Sequence, residues 1–377
     1  MQCYFDNSAT TKPCAEAVEA MVAALTDNYG NPSSLHKVGD RANDLLEESR
    51  KTLAKALGCS SGEVYFTSGG TESNNIAIMG TAMALKRSGT RIVTSAVEHP
   101  SVEECMKRLE EQGFEVVRLP VDEFGCVRDE DIFDAVNKDT ILVSIMAVNN
   151  EVGSIMPIKA AKAAIRKAGA PAYVHCDAVQ AFGKIPVSPK ALGADLITVS
   201  SHKVHGPKGQ GALYVRKGLR ILPYTLGGGQ ESNVRSGTQN MPGIAGFAAA
   251  VAAIGDIGEN LAHVRELRDT FVKGVTEDDT AHLNSGENAL PYVVNLSIPG
   301  VPSEVLRNYL SGRDIFVSTG SACSKGHRST VLTQMGLEPA TIDSAVRVSF
   351  SRFNTLEEVE EAIACFKEAA QTLKKRK

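Results

Sequence analysis

Thr140-Ile141-Leu142-Val143-Ser144-Ile145-Met146-Ala147-Val148 runs straight into Asn149-Asn150-Glu151. So continuous an apolar run, closed by amides and an acid, predicts a strand over 140–148 that is buried on both faces. Next, Ile158–Ala168 has apolar residues at helical spacing, with Gly169 as a stop. A second apolar strand is expected at 172–176. Strand, helix, strand is the unit from which parallel sheets are built.

The alternation continues outward from this unit. Upstream, a strand is expected at 63–67, with a helix from about Ser73, and another strand at 91–97. Pro100 then opens a charged amphipathic helix to about Gln112, followed by a strand at 114–119 and a helix near 129–136. Downstream, strands are expected at 196–199 and 212–215. Only a short glycine-containing segment joins these two, which predicts a hairpin and one antiparallel strand. Beyond Gly243 an alanine-rich stretch, 244–254, leads into charged helical sequence to about Gly274, as one long helix or two. Strands at 292–298 and 315–318 and a final helix at 356–375 complete the pattern. The expected fold is α/β, a mostly parallel central sheet flanked by helices, with a smaller α+β domain. Residues 12–255 would form the large domain, and 1–11 with 256–377 the small one.

Composition narrows the function. The chain has 377 residues, more than one ordinary domain holds, and 43% apolar residues suffice for a large core. Net charge is −4, and the only basic run is the terminal Lys374-Lys375-Arg376-Lys377. That run reads as a solvated helix end, so no direct nucleic-acid contact is expected. No apolar run is long enough to span a membrane, and Met1-Gln2-Cys3-Tyr4-Phe5-Asp6 lacks the pattern of a signal peptide. A cytoplasmic protein is expected. The eight cysteines are scattered without a C-x-x-C pair, so neither a metal site nor a disulfide framework is expected.

Open parallel sheets bind ligands at the carboxyl ends of their strands. Ser68-Gly69-Gly70-Thr71-Glu72-Ser73 follows the first strand, Glu98-His99 the second, and Asn149-Asn150-Glu151 the strand at 140–148. Asp177 and Gln180 follow the strand at 172–176, and Ser200-Ser201-His202-Lys203 the strand at 196–199. The glycine turn before a helix suits a phosphate, although a short Gly-Gly-Thr alone more often marks an ordinary helix cap. Asp177 at the end of a buried strand needs a cationic partner, such as a protonated pyridine nitrogen, a salt bridge or a helix cap. His99 is placed to lay a flat ring against a cofactor; alone, it would read as structural. Lys203 lies between two histidines, and burial with neighbouring positive charge lowers an amine's pKa, as Schiff-base chemistry requires.

Two further residues stand apart. Cys323 lies in Thr319-Gly320-Ser321-Ala322-Cys323-Ser324-Lys325-Gly326-His327-Arg328, where Lys325, His327 and Arg328 would favour the thiolate. Without other evidence an inert thiol is the better reading. Arg347 in Val346-Arg347-Val348 points opposite to its apolar neighbours and suits a carboxylate held bidentately, or a structural ion pair.

Taken together these residues resemble the NifS/IscS-type cysteine desulfurases of the class-V aminotransferase family. The resemblance is carried by Phe5-Asp6-Asn7-Ser8-Ala9-Thr10-Thr11, Gly30-Asn31-Pro32-Ser33-Ser34-Leu35-His36, Thr67 through Asn75, Glu98-His99 and Asn149-Asn150-Glu151-Val152-Gly153. It continues through His175-Cys176-Asp177-Ala178-Val179-Gln180, Ser200-Ser201-His202-Lys203, Arg235-Ser236-Gly237-Thr238 and Gly320-Ser321-Ala322-Cys323. It implies a pyridoxal 5′-phosphate (PLP) enzyme of fold type I, a homodimer. Lys203 would be the Schiff-base lysine, Asp177 would bind the pyridinium nitrogen and Gln180 the phenolic oxygen. His99 would stack on the ring, with Asn150 beside it. Gly70, Thr71, Ser200 and His202 would hold the phosphate, with Thr238 reaching in from the other subunit. Arg347 would hold the substrate carboxylate, assisted by Asn31. L-Cysteine would become L-alanine, its sulfur passing to Cys323 as a persulfide. A sulfur-acceptor protein, an iron–sulfur scaffold or a thiolation enzyme, would receive it. The basic loop after Cys323 is shorter than in housekeeping bacterial members, which would bear on acceptor choice. A selenocysteine lyase and a non-catalytic sulfur-relay scaffold are the competing readings.

Overall fold

The computed structural model describes residues 1–319 and 328–374. Cys323, with Lys325, Gly326 and His327, lies outside the described residues, as do Lys375, Arg376 and Lys377. Twelve strands are present among the described residues: β1 (Cys3–Tyr4), β2 (Val64–Thr67), β3 (Arg91–Ser95), β4 (Glu115–Leu119), β5 (Thr140–Ser144), β6 (Tyr173–Asp177), β7 (Leu196–Ser200), β8 (Gly211–Val215), β9 (His282–Leu283), β10 (Val293–Ser297), β11 (Ile315–Phe316) and β12 (Ala345–Ser349).

Seven of them form one sheet in the order β2-β8-β7-β6-β5-β3-β4. The pairs β4–β3, β3–β5, β5–β6 and β6–β7 are parallel. β8 runs antiparallel to both β7 and β2, as the short glycine-containing connection requires. It follows that β2, β3, β5, β6 and β7 end at the same edge. All five residues of β5 and of β7 are buried, which fits a sheet covered on both faces. The helix Gly70–Leu85 lies across β5, β6, β7 and β8. Ile158–Ala168 ends where expected, at Gly169 in a left-handed conformation (φ 64°) that glycine adopts without strain.

The strand expected over 140–148 leaves β3 after Ser144, although Ile145 N and Ala147 N still donate to His175 O and Asp177 O of β6. Met146 N–H is taken by the Glu98 carboxylate (2.9 Å), and Val148 turns back to bridge Ile155. A side chain therefore replaces the β3 partner there, and the sheet opens between β3 and β5. The helical sequence after Gly243 forms two helices, Met241–Ala252 and Ile257–Thr276, bent by 79° across Gly255 (φ 73°). No single helix among the described residues is long and apolar enough to cross a membrane.

A second, antiparallel sheet has the order β12-β10-β9, and β1 pairs in parallel with β11. Bridges from Asp6 to Ser349 and from Ser318 to Arg347 tie the two-stranded unit to β12. The N-terminal segment then runs from β1 toward the large sheet, where Thr11 N–H donates to His202 O (2.9 Å). It thus reaches the residues that follow β7.

Candidate active site

A cavity of about 810 Å³ opens at the shared carboxyl edge of the large sheet. It is lined by Gly70 and Thr71 after β2, Glu98 and His99 after β3, and Asn150 after β5. Asp177 at the end of β6 and Gln180 after it, Ser200, His202 and Lys203 at the end of β7, and Arg347 of β12 complete its polar wall. The topology thus brings together ten residues singled out from the sequence, from six strands and the turns that follow them. Asn31 and Thr238 are both exposed and line no part of this cavity. The place of Cys323 lies outside the described residues.

Lys203 is directed inward by the short 3-10 turn Ser201–Lys203. Its Nζ donates to the carbonyls of Ser8 and Ala9, the latter at 2.7 Å. Burial, with Arg347 next in weight, lowers its pKa from 10.5 to about 8. The neighbouring histidines do not supply the positive charge expected of them. Burial holds His202 and His205 down to about 4, so both rings are neutral at pH 7. The cation that acts on Lys203 is Arg347, remote in sequence.

Asp177 ends β6 and is 6% exposed. Its carboxylate accepts from Asn74 Nδ2 (2.7 Å) and Val179 N (3.0 Å), both neutral donors. Asn74 also donates to Ser101 Oγ (2.8 Å), and Ser101 Oγ meets His99 Nδ1 at 2.8 Å. A continuous polar chain therefore fixes Asp177 and His99 relative to each other. Burial lowers the His99 pKa, leaving a neutral ring with Nδ1 tied down as the cap of the helix Pro100–Glu111. Next to it, Glu98 uses one oxygen to accept from Ser95 Oγ (2.6 Å) and Met146 N. Its other oxygen is buried without a partner among the described residues, and burial raises the acid to about 8. Burial thus favours the neutral acid form of Glu98 near pH 7.

An adjoining cavity of about 380 Å³ is lined by Gly69, Gly70, Thr71, Ser200, His202 and Lys208, among others. The helix Gly70–Leu85 starts here, so its free N–H groups and positive dipole end favour an anion. A Cβ at Gly70 would lie 2.9 Å from Val179 Cγ2, so only glycine lets the turn approach the segment after β6 this closely.

Arg347 is 5% exposed. One terminal nitrogen donates to Asp6 Oδ1 (2.9 Å) and the other to Asn150 O (3.0 Å), while Nε has no partner among the described residues. A guanidinium carries five N–H groups, so three stay available for a carboxylate. The two amides after β5 diverge. Asn149 is wholly buried and accepts from Glu151 N and Val152 N, a structural turn, whereas Asn150 faces the cavity. Gln180 is held by Ser8 O and Lys184, described further below. Arg328 pairs with Asp343, its guanidinium making two 2.8 Å contacts with that carboxylate at the surface.

Sequence reasoning assigned no role to Asp6, Ser8, Ala9, Asn74, Glu98 or Ser101. All but Ser101 lie inside stretches that carry the resemblance, and Asn74 sits one helical turn past the Gly70-Thr71 cradle. That spacing was the available signal.

A model of the family aminotransferase class-V matches residues 3–362. A protein of Lactobacillus delbrueckii subsp. bulgaricus described as a NifS/IcsS protein homolog is 45% identical over 379 residues, which cover 99% of this chain and 98% of that protein. A Methanosarcina thermophila protein named cysteine desulfurase IscS is 42% identical over 375 residues, 98% of this chain and 92% of its own. Among solved structures, a NifS-like protein matches with a TM-score of 0.93 at 40% identity, over 99% of this chain and 100% of its own. The chain belongs to the class-V aminotransferase family, in its NifS/IscS-type branch, with the fold type I architecture of that family.

Proposed function

We propose that this protein is a PLP-dependent cysteine desulfurase, which converts L-cysteine to L-alanine and carries the sulfur on Cys323 as a persulfide for an acceptor protein. The observation that carries this reading is one cavity holding a lysine of lowered basicity, a buried carboxylate and a buried guanidinium. Its family is generally PLP-dependent.

The residues present fit PLP. A buried Asp177 with only neutral hydrogen-bond donors suits a pyridinium nitrogen. The Gly70-Thr71 helix end, Ser200 and His202 would hold the phosphate, and Thr238 would approach from the second subunit. His99, with Nδ1 anchored, would lie against the ring, and Gln180 would meet the phenolic oxygen. When bound at Lys203, PLP supplies an electron sink for the amino acid's α-carbon.

This chain's side chains do the rest. Arg347 binds the substrate carboxylate through its remaining N–H groups, with Asn150 beside it and Asn31 assisting. Lys203, as the free amine, takes the proton from Cα and returns it. The Cys323 thiolate attacks the substrate sulfur. An S–S bond forms, the Cβ–S bond breaks, and the thiol proton of the substrate ends on Cβ, so cysteine and thiolate become alanine and persulfide anion. A loop residue suits this task because it must meet both the substrate and an outside acceptor.

As part of the same reading the enzyme is a cytoplasmic homodimer that serves an iron–sulfur scaffold or a thiolation enzyme. Exposed Val18, Val22, Leu25, Tyr29 and Leu35, with Leu222, Tyr224 and Leu226, support a covered face. Pairing of β1 with β11 supports a small domain of residues 1–11 and 256–377 beside a large one of 12–255.

The test is incubation of the PLP-loaded protein with L-cysteine, measuring alanine and reductant-released sulfide beside Cys323→Ala. We expect equal amounts of both products from the parent and loss of desulfuration in the variant, with PLP still bound. Equal desulfuration by both proteins would remove Cys323 from the mechanism.

A further inference from the structure

Lys184 is a buried ionisable residue that the reaction above does not use. It is 6% exposed, and it reaches the interior because Gly183 before it adopts a left-handed conformation (φ 74°). A Cβ at Gly183 would lie 2.9 Å from both Ile254 Cδ1 and Val204 Cγ1, so this tight turn needs glycine. Lys184 does not line the large cavity. It sits behind the cavity wall, where it borders with Lys203 and Tyr292 a void of about 20 Å³, space for one water.

Burying a lysine is costly unless its head group is used. Lys184 Nζ donates to Gln180 Oε1 at 3.1 Å and lies 5.5 Å from the centre of the Tyr292 ring. Gln180 is itself 5% exposed, and its Nε2 donates to Ser8 O at 2.9 Å. Lys203 Nζ donates to that same carbonyl. The chain Lys184–Gln180–Ser8–Lys203 therefore connects the void to the cavity.

The chemistry of the two neighbours fixes the amide. An ammonium only donates and a carbonyl only accepts, so Gln180 can satisfy both in one orientation alone: Oε1 toward Lys184 and the NH₂ toward Ser8 and the cavity. Flipping the amide would set donor against donor and acceptor against acceptor, in a buried site where each unmade bond is costly. Deprotonation weakens the constraint at Lys184, because a neutral amine still donates but gains a lone pair that can accept; Ser8 O, which only accepts, keeps the NH₂ on its side. Burial first, then Lys203 and Arg347, lower the pKa of Lys184 to about 7, so both forms are present near neutrality.

We propose that Lys184 is a positioning residue for the cofactor: it locks the Gln180 amide so that a hydrogen-bond donor, not an acceptor, faces the phenolic oxygen of PLP. This rests on the reading of Gln180 as the partner of that oxygen. A donor there stabilises the more negative, deprotonated state of the bound chromophore and so lowers its pKa. Without Lys184 only Ser8 O still favours that orientation, so the amide turns its carbonyl toward the same oxygen, where it repels, more readily.

The visible absorption of the PLP-loaded protein, titrated with pH, reads this directly. Lys184→Met, Gln180→Leu, the double variant and Lys184→Arg would be compared with the parent, each checked for cooperative thermal unfolding. Gln180→Leu should raise the midpoint by about one pH unit, the size of one hydrogen bond to a charged acceptor, and Lys184→Met should raise it in the same direction by a measurable part of that. The double variant should match Gln180→Leu alone, because Lys184 acts through Gln180. Lys184→Arg keeps a donor-only head group and should hold the parent midpoint. An unchanged midpoint in Lys184→Met beside a shifted one in Gln180→Leu overturns the proposal, as do additive shifts in the double variant. A shift in Lys184→Arg as large as in Lys184→Met also overturns it. No shift in Gln180→Leu removes the reading of Gln180, and the role of Lys184 with it.

Discussion

At the scale of single residues, the site is governed by how burial sets protonation. His202 and His205 are neutral because they are buried, so they place no charge beside Lys203. Arg347 does, and it comes from β12. Adjacency in the sequence suggested the histidines; proximity in the fold selects the arginine, which no local motif announces. The consequence is measurable in PLP capture by the apo-protein, which needs the free amine of Lys203. The capture rate should rise with pH and level off above about 8. Arg347→Met removes a positive neighbour, so the protonated amine becomes easier to keep and the midpoint should move upward. Stopped-flow absorbance of apo-protein mixed with PLP across a pH series checks both. A parent midpoint near the ordinary lysine value of 10.5 would show that Lys203 is not perturbed.

At the scale of elements, the parallel sheet was legible because its strands are apolar throughout and alternate with amphipathic helices. The end of β5 was not. Apolar residues continue to Val148 and stay bonded to β6 through Ala147, yet Glu98 takes the backbone donor of Met146 on the β3 side and ends that pairing, an event set by a side chain from another strand end. The Gly70 turn shows the reverse case. Its sequence is short enough to pass for a simple helix cap, but the close approach to Val179 ties it to the segment that carries Asp177 and Gln180. Gly70→Ala would push its Cβ against Val179 Cγ2 and displace one of the two sides of the cofactor cradle. PLP affinity should fall about tenfold, ~1.4 kcal/mol, with little change in apo-protein unfolding. Val179→Ala in the same background should restore most of it. Titration of apo-protein with PLP, followed by fluorescence, measures the three dissociation constants. If the second substitution gives no recovery, the contact is not the cause.

At the scale of the whole molecule, the N-terminal segment joins the two sheets. It supplies Asp6 to Arg347 and the carbonyls of Ser8 and Ala9 to Lys203. Its motif was visible only as part of a resemblance, since a polar stretch after a two-residue strand has no periodicity to read. Stability also has a whole-molecule signature, centred on His175. This side chain is fully buried within the large sheet, where Nδ1 meets Ser144 Oγ of β5 at 2.8 Å and Nε2 meets Thr198 Oγ1 of β7 at 3.1 Å. Burial lowers its pKa from 6.5 to about 3. The folded chain therefore keeps it neutral where the unfolded chain takes up a proton. Its contribution is complete above pH 6.5 and is lost as pH falls toward 3. In that window it should cost about 1.4 kcal/mol of stability per pH unit. His175→Asn keeps a polar group among three strands but removes the titration. The variant should be less stable than the parent at pH 7, yet its stability should fall less steeply on acidification, by about one proton in the linkage slope. Buried His202 and His205 leave a residual slope in both proteins. Urea unfolding at several values between pH 7 and pH 5 gives the two slopes. Equal slopes would mean that His175 is protonated inside the fold, and the three-strand network would then have to be rebuilt around an imidazolium that donates to both hydroxyls.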